Sequence, residues 1–169
     1  MRRVPMDRQV RLHRIGIVPA LILETWIPSP PERCFELSLS VDAHTASMRG
    51  SGEKIIAGLT TGSMSLDDTV TWRAKHFGIP FTMTSRISEY ETPSRFVDEQ
   101  ISGPFRRWWH EHRFEDANGG TQMTDRIEFE APAGPIGRAI NRLVLTGYMT
   151  RLIEQRNSWL VDALTPAGK

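Results

Sequence analysis

The chain has 169 residues, of which 39% are hydrophobic and 24% charged, and its formal net charge is +1 at pH 7. This length fits one domain with a sizeable core, and the balanced charge argues against a phosphate-binding surface and therefore against nucleic acid as a partner. The single cysteine, Cys34, excludes an internal disulfide and a cysteine-rich metal site. We expect a cytoplasmic protein without a cofactor.

Residues 1–19 form a basic extension with five arginines and one aspartate. We interpret it as a partly ordered tail outside the folded domain, either solvated or in transient contact with anionic lipid or a partner. The apolar run at residues 15–23 is interrupted by Pro19 and followed by Glu24. It is too short to span a membrane, so we predict no transmembrane segment.

The predicted domain begins with a strand at residues 20–27 and a turn at the proline-rich residues 28–31. A short helix is predicted from Pro31, with Ser29 as its cap, because proline fits the first helical turn. A second short helix or turn is predicted at residues 41–48.

The middle of the chain has the composition and alternation of six strands. Glycine- and proline-rich turns separate most of them, and such short links join antiparallel neighbours because a parallel return needs a longer crossover. The sequence therefore predicts a meander. Its strands are residues 53–57, 70–77, 81–90, 95–101, 105–115 and 121–130.

The last part of the chain has helical periodicity from near Gly134 to near Leu164, followed by a tail at residues 165–169. About 30 residues at 1.5 Å each give a helix of about 45 Å, long enough to cross the sheet. Arg156 falls away from the apolar stripe, and we assign it to the solvated face. The stripe consists of Ile136, Ile140, Leu143, Val144, Gly147, Tyr148, Leu152 and Trp159.

Together these elements predict an α+β fold, in which a curved antiparallel sheet of about seven strands wraps around a long C-terminal helix, with two short helices after strand one. The order resembles the START-like (SRPBCC) helix-grip superfamily, and in particular its bacterial polyketide cyclase/dehydrase and lipid transport group. The resemblance covers residues 20–164, the predicted ligand-binding domain. It is carried by residues 69–78, 85–93, 95–105, 110–114, 120–125, 132–137 and 156–157.

The resemblance implies an internal cavity between sheet and helix that holds a small hydrophobic molecule. It implies no catalytic residues, because the superfamily includes binding proteins, carriers and enzymes with no shared catalytic set. Residues 1–19 lie outside it.

Strand parity predicts which polar residues face this cavity, since residues two apart share a face. On that basis Phe114 groups with His110 and His112. Asp98, Asp125 and His76 are placed inward in the same way, by the anchors Phe96, Ile127 and Ala74 respectively. Five ionisable groups in one hollow exceed what an ordinary core holds, because each unpaired buried polar group costs about 1–3 kcal/mol.

Three interpretations of this cluster remain open. The groups could pair structurally, they could orient a polar part of a ligand, or a histidine oriented by Asp98 or Asp125 could act as general acid or base. The catalytic candidates are His110, His112, Asp98 and Asp125. Two histidines in an HxH pattern are a weak metal signal by themselves, so no metal is expected.

The sequence thus predicts a protein that binds or carries a lipid, a polyketide-like aromatic or an isoprenoid. The alternative is an aromatase/cyclase-like enzyme with a pocket histidine as general acid or base, and a third class is a protein-interaction module. The oligomeric state is not indicated. The predicted ligand-binding residues are Trp72, His76, Met83, Ile87, Phe96, Asp98, Gln100, His110, His112, Asp125, Ile140, Val144, Tyr148 and Leu152.

Overall fold

The computed structural model describes residues 9–15, 18–76, 78–130 and 144–166. Within them the chain forms eight strands, three α-helices and a 3-10 helix at Arg49–Ser51. The strands are β1 (Gln9–Ile15), β2 (Val18–Ile27), β3 (Lys54–Gly58), β4 (Thr69–His76), β5 (Ile79–Glu91), β6 (Arg95–Ser102), β7 (Arg107–Ala117) and β8 (Gly120–Glu130). The helices are α1 (Pro31–Leu39), α2 (Val41–Ser47) and α3 (Thr146–Leu164).

All strands belong to one antiparallel sheet in the order β1-β2-β8-β7-β6-β5-β4-β3. Strands β3 to β8 form the meander that the turn residues predict. Strand β2 precedes them in sequence and pairs with β8. The predicted fold class is confirmed, with α1 and α2 inserted between β2 and β3.

The sheet has one strand more than predicted. Strand β1 lies in the segment interpreted as a basic extension, and its backbone pairs antiparallel with β2 from Gln9 opposite Glu24 to Ile15 opposite Val18. It forms one edge of the sheet, and β3 forms the other.

Helix α1 does not begin as predicted, because Pro30 rather than Ser29 is its N-cap and no side chain caps it. Ser29 is buried, and its carbonyl oxygen accepts hydrogen bonds from Thr121 Oγ1 at 2.6 Å and Cys34 Sγ at 3.6 Å. Helix α2 has the side-chain cap that α1 lacks, since Ser40 Oγ accepts a hydrogen bond from the Ala43 amide.

The buried face of α3 differs from the predicted stripe by about one residue. Val144, predicted to face the core, is 54% exposed, and Arg156, predicted to be solvated, is only 6% exposed. The predicted start near Gly134, with Ile136, Ile140 and Leu143, lies outside the described residues. No helix in the described ranges is both long and apolar enough to cross a membrane. The buried positions are Met149, Ile153, Arg156, Asn157, Leu160 and Leu164.

A polar band divides the core into two apolar clusters. The first, which includes Phe35, Phe96, Phe114, Met123 and Leu160, packs under α1 and α2. The band consists of polar residues of β6, β7, β8 and α3, namely Asp98, His110, His112, Asp125, Arg156 and Asn157. The second cluster comprises Leu21, Leu23, Trp108, Ile127, Phe129, Met149 and Ile153.

Candidate functional site

A cavity of about 490 Å³ lies between the sheet, α2 and α3. Most of its wall is apolar, and the polar band supplies a group of charged side chains on one part of it. This combination is typical of sites for small molecules, which use a few convergent polar groups in an apolar pocket.

Nine residues of the predicted binding set line this cavity. They come from β4 to β7 and from α3, which are the elements that the strand parity and helical spacing placed around it. They are Trp72, Met83, Ile87, Phe96, Asp98, His110, His112, Tyr148 and Leu152.

The other predicted residues do not line the wall or are not described. Val144 is exposed, and Asp125 is fully buried behind the histidines at 0% exposure. The side chain of His76 and residue Ile140 lie outside the described part of the chain. Gln100 hydrogen-bonds across the β6–β7 turn instead, with its Nε2 donating to the Phe105 carbonyl at 2.7 Å and its Oε1 accepting from the Phe105 amide at 3.2 Å.

Each of the two inward histidines of β7 lies between two carboxylates. His112 has Asp98 Oδ2 at 3.0 Å from Nε2 and Asp125 Oδ1 at 2.8 Å from Nδ1. His110 has Asp125 Oδ1 at 2.9 Å from Nε2 and Asp98 Oδ2 at 3.5 Å from Nδ1. The four side chains therefore form a closed ring of contacts, which we call the ionic cluster.

The register of three strands produces this ring. Asp98 of β6 lies opposite His110, and Asp125 of β8 lies opposite His112. Facing residues of an antiparallel pair have their Cβ atoms about 4.5–5.5 Å apart, within reach of such side chains. His112 stacks on Phe96 with ring centroids 4.3 Å apart, and the tilted ring of His110 lies 3.8 Å from that of His112.

Helix α3 anchors the deeper carboxylate. Asn157 Nδ2 donates to Asp125 Oδ2 at 2.7 Å and also lies 3.1 Å from Thr25 Oγ1. Arg156 Nη1 lies 3.4 Å from Asp125 Oδ1 and 3.5 Å from His112 Nδ1. Asp125 is thereby fully satisfied by hydrogen bonds in a place that water does not reach.

Burial and pairing act in opposite directions on the acidity of this cluster. Burial raises the pKa of Asp98, but His110, His112 and Arg156 outweigh it and lower that pKa to about 2. The pKa of Asp125 is likewise held well below its usual value despite burial, by hydrogen bonds from both histidines and the charge of Arg156. Burial lowers the pKa of His110. Both carboxylates therefore remain ionised at neutral pH.

The family of this chain follows from comparison with known proteins. A family model described as polyketide cyclase / dehydrase and lipid transport matches residues 26–165. The chain belongs to the polyketide cyclase/dehydrase and lipid transport family. No curated protein matches it significantly.

Solved structures show the same helix-grip fold at low sequence identity. The Zhui aromatase/cyclase from Streptomyces sp. R1128 has a TM-score of 0.69 and 13% identity, covering 87% of this chain and 93% of its own. The protein TTHA0849 from Thermus thermophilus has a TM-score of 0.67 and 17% identity, covering 86% and 99% respectively. The ginseng major latex-like protein 151 from Panax ginseng has a TM-score of 0.62 and 13% identity, covering 89% and 100%.

The sequence-based prediction missed two parts of the site in this family member. Arg156 and Asn157 were missed because the inner face of the helix was assigned from its apolar residues alone, and such a count leaves out a buried polar pair. The spacing from Ile153 to Leu160 would have placed both on the inner face. His44 and Glu53, which pair at 3.0 Å, also line the cavity, although neither lies on a strand face with an apolar anchor.

Proposed function

We propose that this chain binds one small, largely apolar molecule in the cavity and holds a polar end of that molecule against the ionic cluster. The observation that supports the proposal is the position of Asp98, His110, His112 and Arg156 on the wall of an otherwise apolar cavity. Its volume falls in the range of about 300–1,000 Å³ found for small-molecule sites. The ligand classes that fit are lipids, polyketide-like aromatics and isoprenoids.

The polar end would be a carbonyl, hydroxyl or carboxylate. Arg156 donates hydrogen bonds and Asp98 accepts them, so the wall can bind either a donor or an acceptor. An apolar molecule that lacks such a group would gain no hydrogen bond there and bind less tightly.

Displacement of an environment-sensitive apolar dye by fatty acids and polycyclic aromatics tests this proposal. Met83→Trp fills the cavity and should weaken dye binding at least tenfold, because Met83 lines the wall. Thr82→Trp is the matched control, since Thr82 is its exposed neighbour on β5 and the same ring there should change little. No displacement by any compound of the panel would contradict the proposal.

A second candidate function is proton transfer of the aromatase/cyclase kind. It is favoured by the two imidazoles, which lie on the cavity wall and are oriented from behind by Asp125. Their cavity-side nitrogens contact Asp98, the least buried member of the cluster, so one of them could remove a proton next to a carbonyl once the bound molecule displaces Asp98. The first test is deuterium incorporation into an aryl methyl ketone in D₂O, which the protein should accelerate and His112→Phe should abolish. Equal incorporation with and without protein would argue against catalysis.

A further inference from the structure

Three ligand atoms of the ionic cluster converge on one point at the cavity wall. Asp98, His110 and His112 each offer one atom, and the three atoms lie within 4.8 Å of one another. Asp98 Oδ2 lies 3.0 Å from His112 Nε2 and 3.5 Å from His110 Nδ1. All three residues line the cavity, so this side of the cluster is the accessible one.

The two separations that involve Asp98 are close to those of ligands around a shared metal ion. Nitrogen and oxygen ligands bind zinc at about 2.0–2.2 Å, and in a tetrahedral arrangement such ligands lie about 3.3 Å apart. The two distances from Asp98 lie on either side of that value.

The opposite nitrogens of both histidines are held by one carboxylate. His110 Nε2 and His112 Nδ1 lie 2.9 Å and 2.8 Å from Asp125 Oδ1. Metal-bound histidines usually donate their second N–H to a carboxylate, which fixes the tautomer and turns the free nitrogen toward the ion. Here Asp125 would do this for two imidazoles at once, and Asn157 fixes Asp125 in turn.

The charges of the cluster also favour a cation at this point. Two carboxylates face one guanidinium, and Arg156 lies on the side of Asp125, at 3.4 Å from its Oδ1. Arg156 thus lies nearest the deeper carboxylate, and two carboxylates with one guanidinium leave one negative charge in the cluster when both imidazoles are neutral.

We propose that Asp98, His110 and His112 bind one divalent transition-metal ion, zinc(II) or iron(II), with open coordination positions toward the cavity. Two histidines with one carboxylate form the ligand set of many sites that hold such ions and keep a position free. The proposal departs from the sequence-based expectation of no metal. The HxH pattern shows two imidazoles, whereas the structure adds the third ligand and the carboxylate behind them.

The four contacts could instead be held by an additional proton, because two neutral imidazoles supply only two N–H groups for four carboxylate contacts. Metal titration separates the two cases. Protein stripped with a chelator should bind one zinc(II) per chain by calorimetry and retain it through gel filtration, as measured by elemental analysis. Cobalt(II) should give the visible absorption of a tetrahedral or five-coordinate site. Zinc retained below about 0.1 ion per chain would overturn the proposal and leave the proton alone in the ring.

Variants test the residues. Asp98→Asn should lower zinc(II) affinity at least 100-fold and still fold, because Asp98 is the least buried member at 22% exposure. Asp125→Asn should lower it about 10–100-fold, the effect expected of an orienting carboxylate. His44→Gln is the control for a histidine elsewhere on the cavity wall, and it should keep the affinity unchanged. Equal zinc binding by Asp98→Asn and the parent would contradict the assignment.

The metal site is independent of the proposed hydrophobic ligand, so the two binding experiments can fail separately. Zinc(II) binding without dye displacement would support the metal site and reject the hydrophobic ligand. Dye displacement without zinc(II) binding would do the reverse.

Discussion

Strand β7 carries the ionic cluster on its inner face and a second group of charges, the outer cluster around Glu111, on its other face. On the inner face His110 and His112 contact Asp98 and Asp125 at the cavity. On the other face Glu111 Oε1 accepts from Arg95 Nε at 2.6 Å and from Arg113 Nη2 at 3.1 Å. Alternation along one strand therefore separates two charged groups that are adjacent in sequence.

The two clusters differ in what their members can do. On the outer face guanidinium groups donate and carboxylates accept, and Arg95 is satisfied further by Glu89 at 2.6 Å. On the inner face each imidazole can donate or accept, and the cluster opens on a cavity. Burial of charge is thus not by itself a sign of function. Groups beside a cavity that can change their protonation or their ligand indicate function more strongly than buried charge does.

The largest expected effect comes from the inner cluster. Asp125→Asn removes the charge that faces Arg156 and both histidines at a fully buried position. Removing one partner of a buried ion pair typically costs about 3–5 kcal/mol, because the other charge stays buried without compensation. Urea denaturation of metal-free protein measures this as a lower free energy of unfolding. A loss below about 1 kcal/mol would show that the cluster is far more hydrated than the structure indicates.

Glu111→Gln should cost less and leave the cavity intact. It removes one carboxylate from a cluster in which Arg95 keeps Glu89, so we expect a loss of about 1.5–3 kcal/mol, the range for hydrogen bonds to charged groups. Dye binding should stay within twofold of the parent. A change in dye affinity without a change in stability would show that the outer cluster acts on the cavity as the inner one does.

The outer cluster should also make stability depend on pH. Burial raises the pKa of Glu111, but hydrogen bonds and charges of Arg113 and Arg95 outweigh it, so that its pKa lies below the ordinary 4.5. The unfolded state then binds this proton more readily, and the stabilisation is complete above about pH 4.5 and lost as the pH falls through the folded-state value. The stability difference between parent and Glu111→Gln should shrink from pH 7 to pH 3. A constant difference would mean that Glu111 contributes by packing alone.

The smallest expected effect is that of Val144→Asp. Helical periodicity places Val144 in the core, where a charge would cost several kcal/mol, but the structure exposes 54% of it. The free energy of unfolding should therefore change by no more than about 0.5 kcal/mol. Leu160→Asp, at a buried position of α3, is the comparison and should be strongly destabilising. Similar losses for both would place Val144 inside after all.

The sheet could be predicted from the sequence because its signals are local. Turn residues such as Gly103-Pro104 and Asn118-Gly119 separate the strands, and one apolar anchor per strand assigns the faces. Phe114 is enough to place His110 and His112 inward, and Phe96 does the same for Asp98. The pairing of these residues across strands then follows from register.

The remainder depends on contacts that are distant in sequence. The buried state of Arg156 is stable only because Asp125, 31 residues earlier, supplies the opposite charge. A periodicity count of α3 cannot include that partner, and it therefore shifts the inner face toward Val144. The pairing of His44 with Glu53 is hidden for another reason, since His44 lies in α2 and Glu53 just before β3, so no strand register relates them.

Strand β1 has a consequence for how the chain behaves when shortened. One side of β2 pairs with β8, and the other is covered by β1 along seven residue pairs. Deleting residues 1–17 would leave the amides and carbonyls on that side of β2 unpaired, next to the apolar stretch of residues 20–23. An uncovered, apolar edge strand is a template for pairing with a second chain. Strand β1, whose sequence carries Arg11 and Arg14, thus takes the edge position that β2 would otherwise have, and we expect its removal to promote self-association.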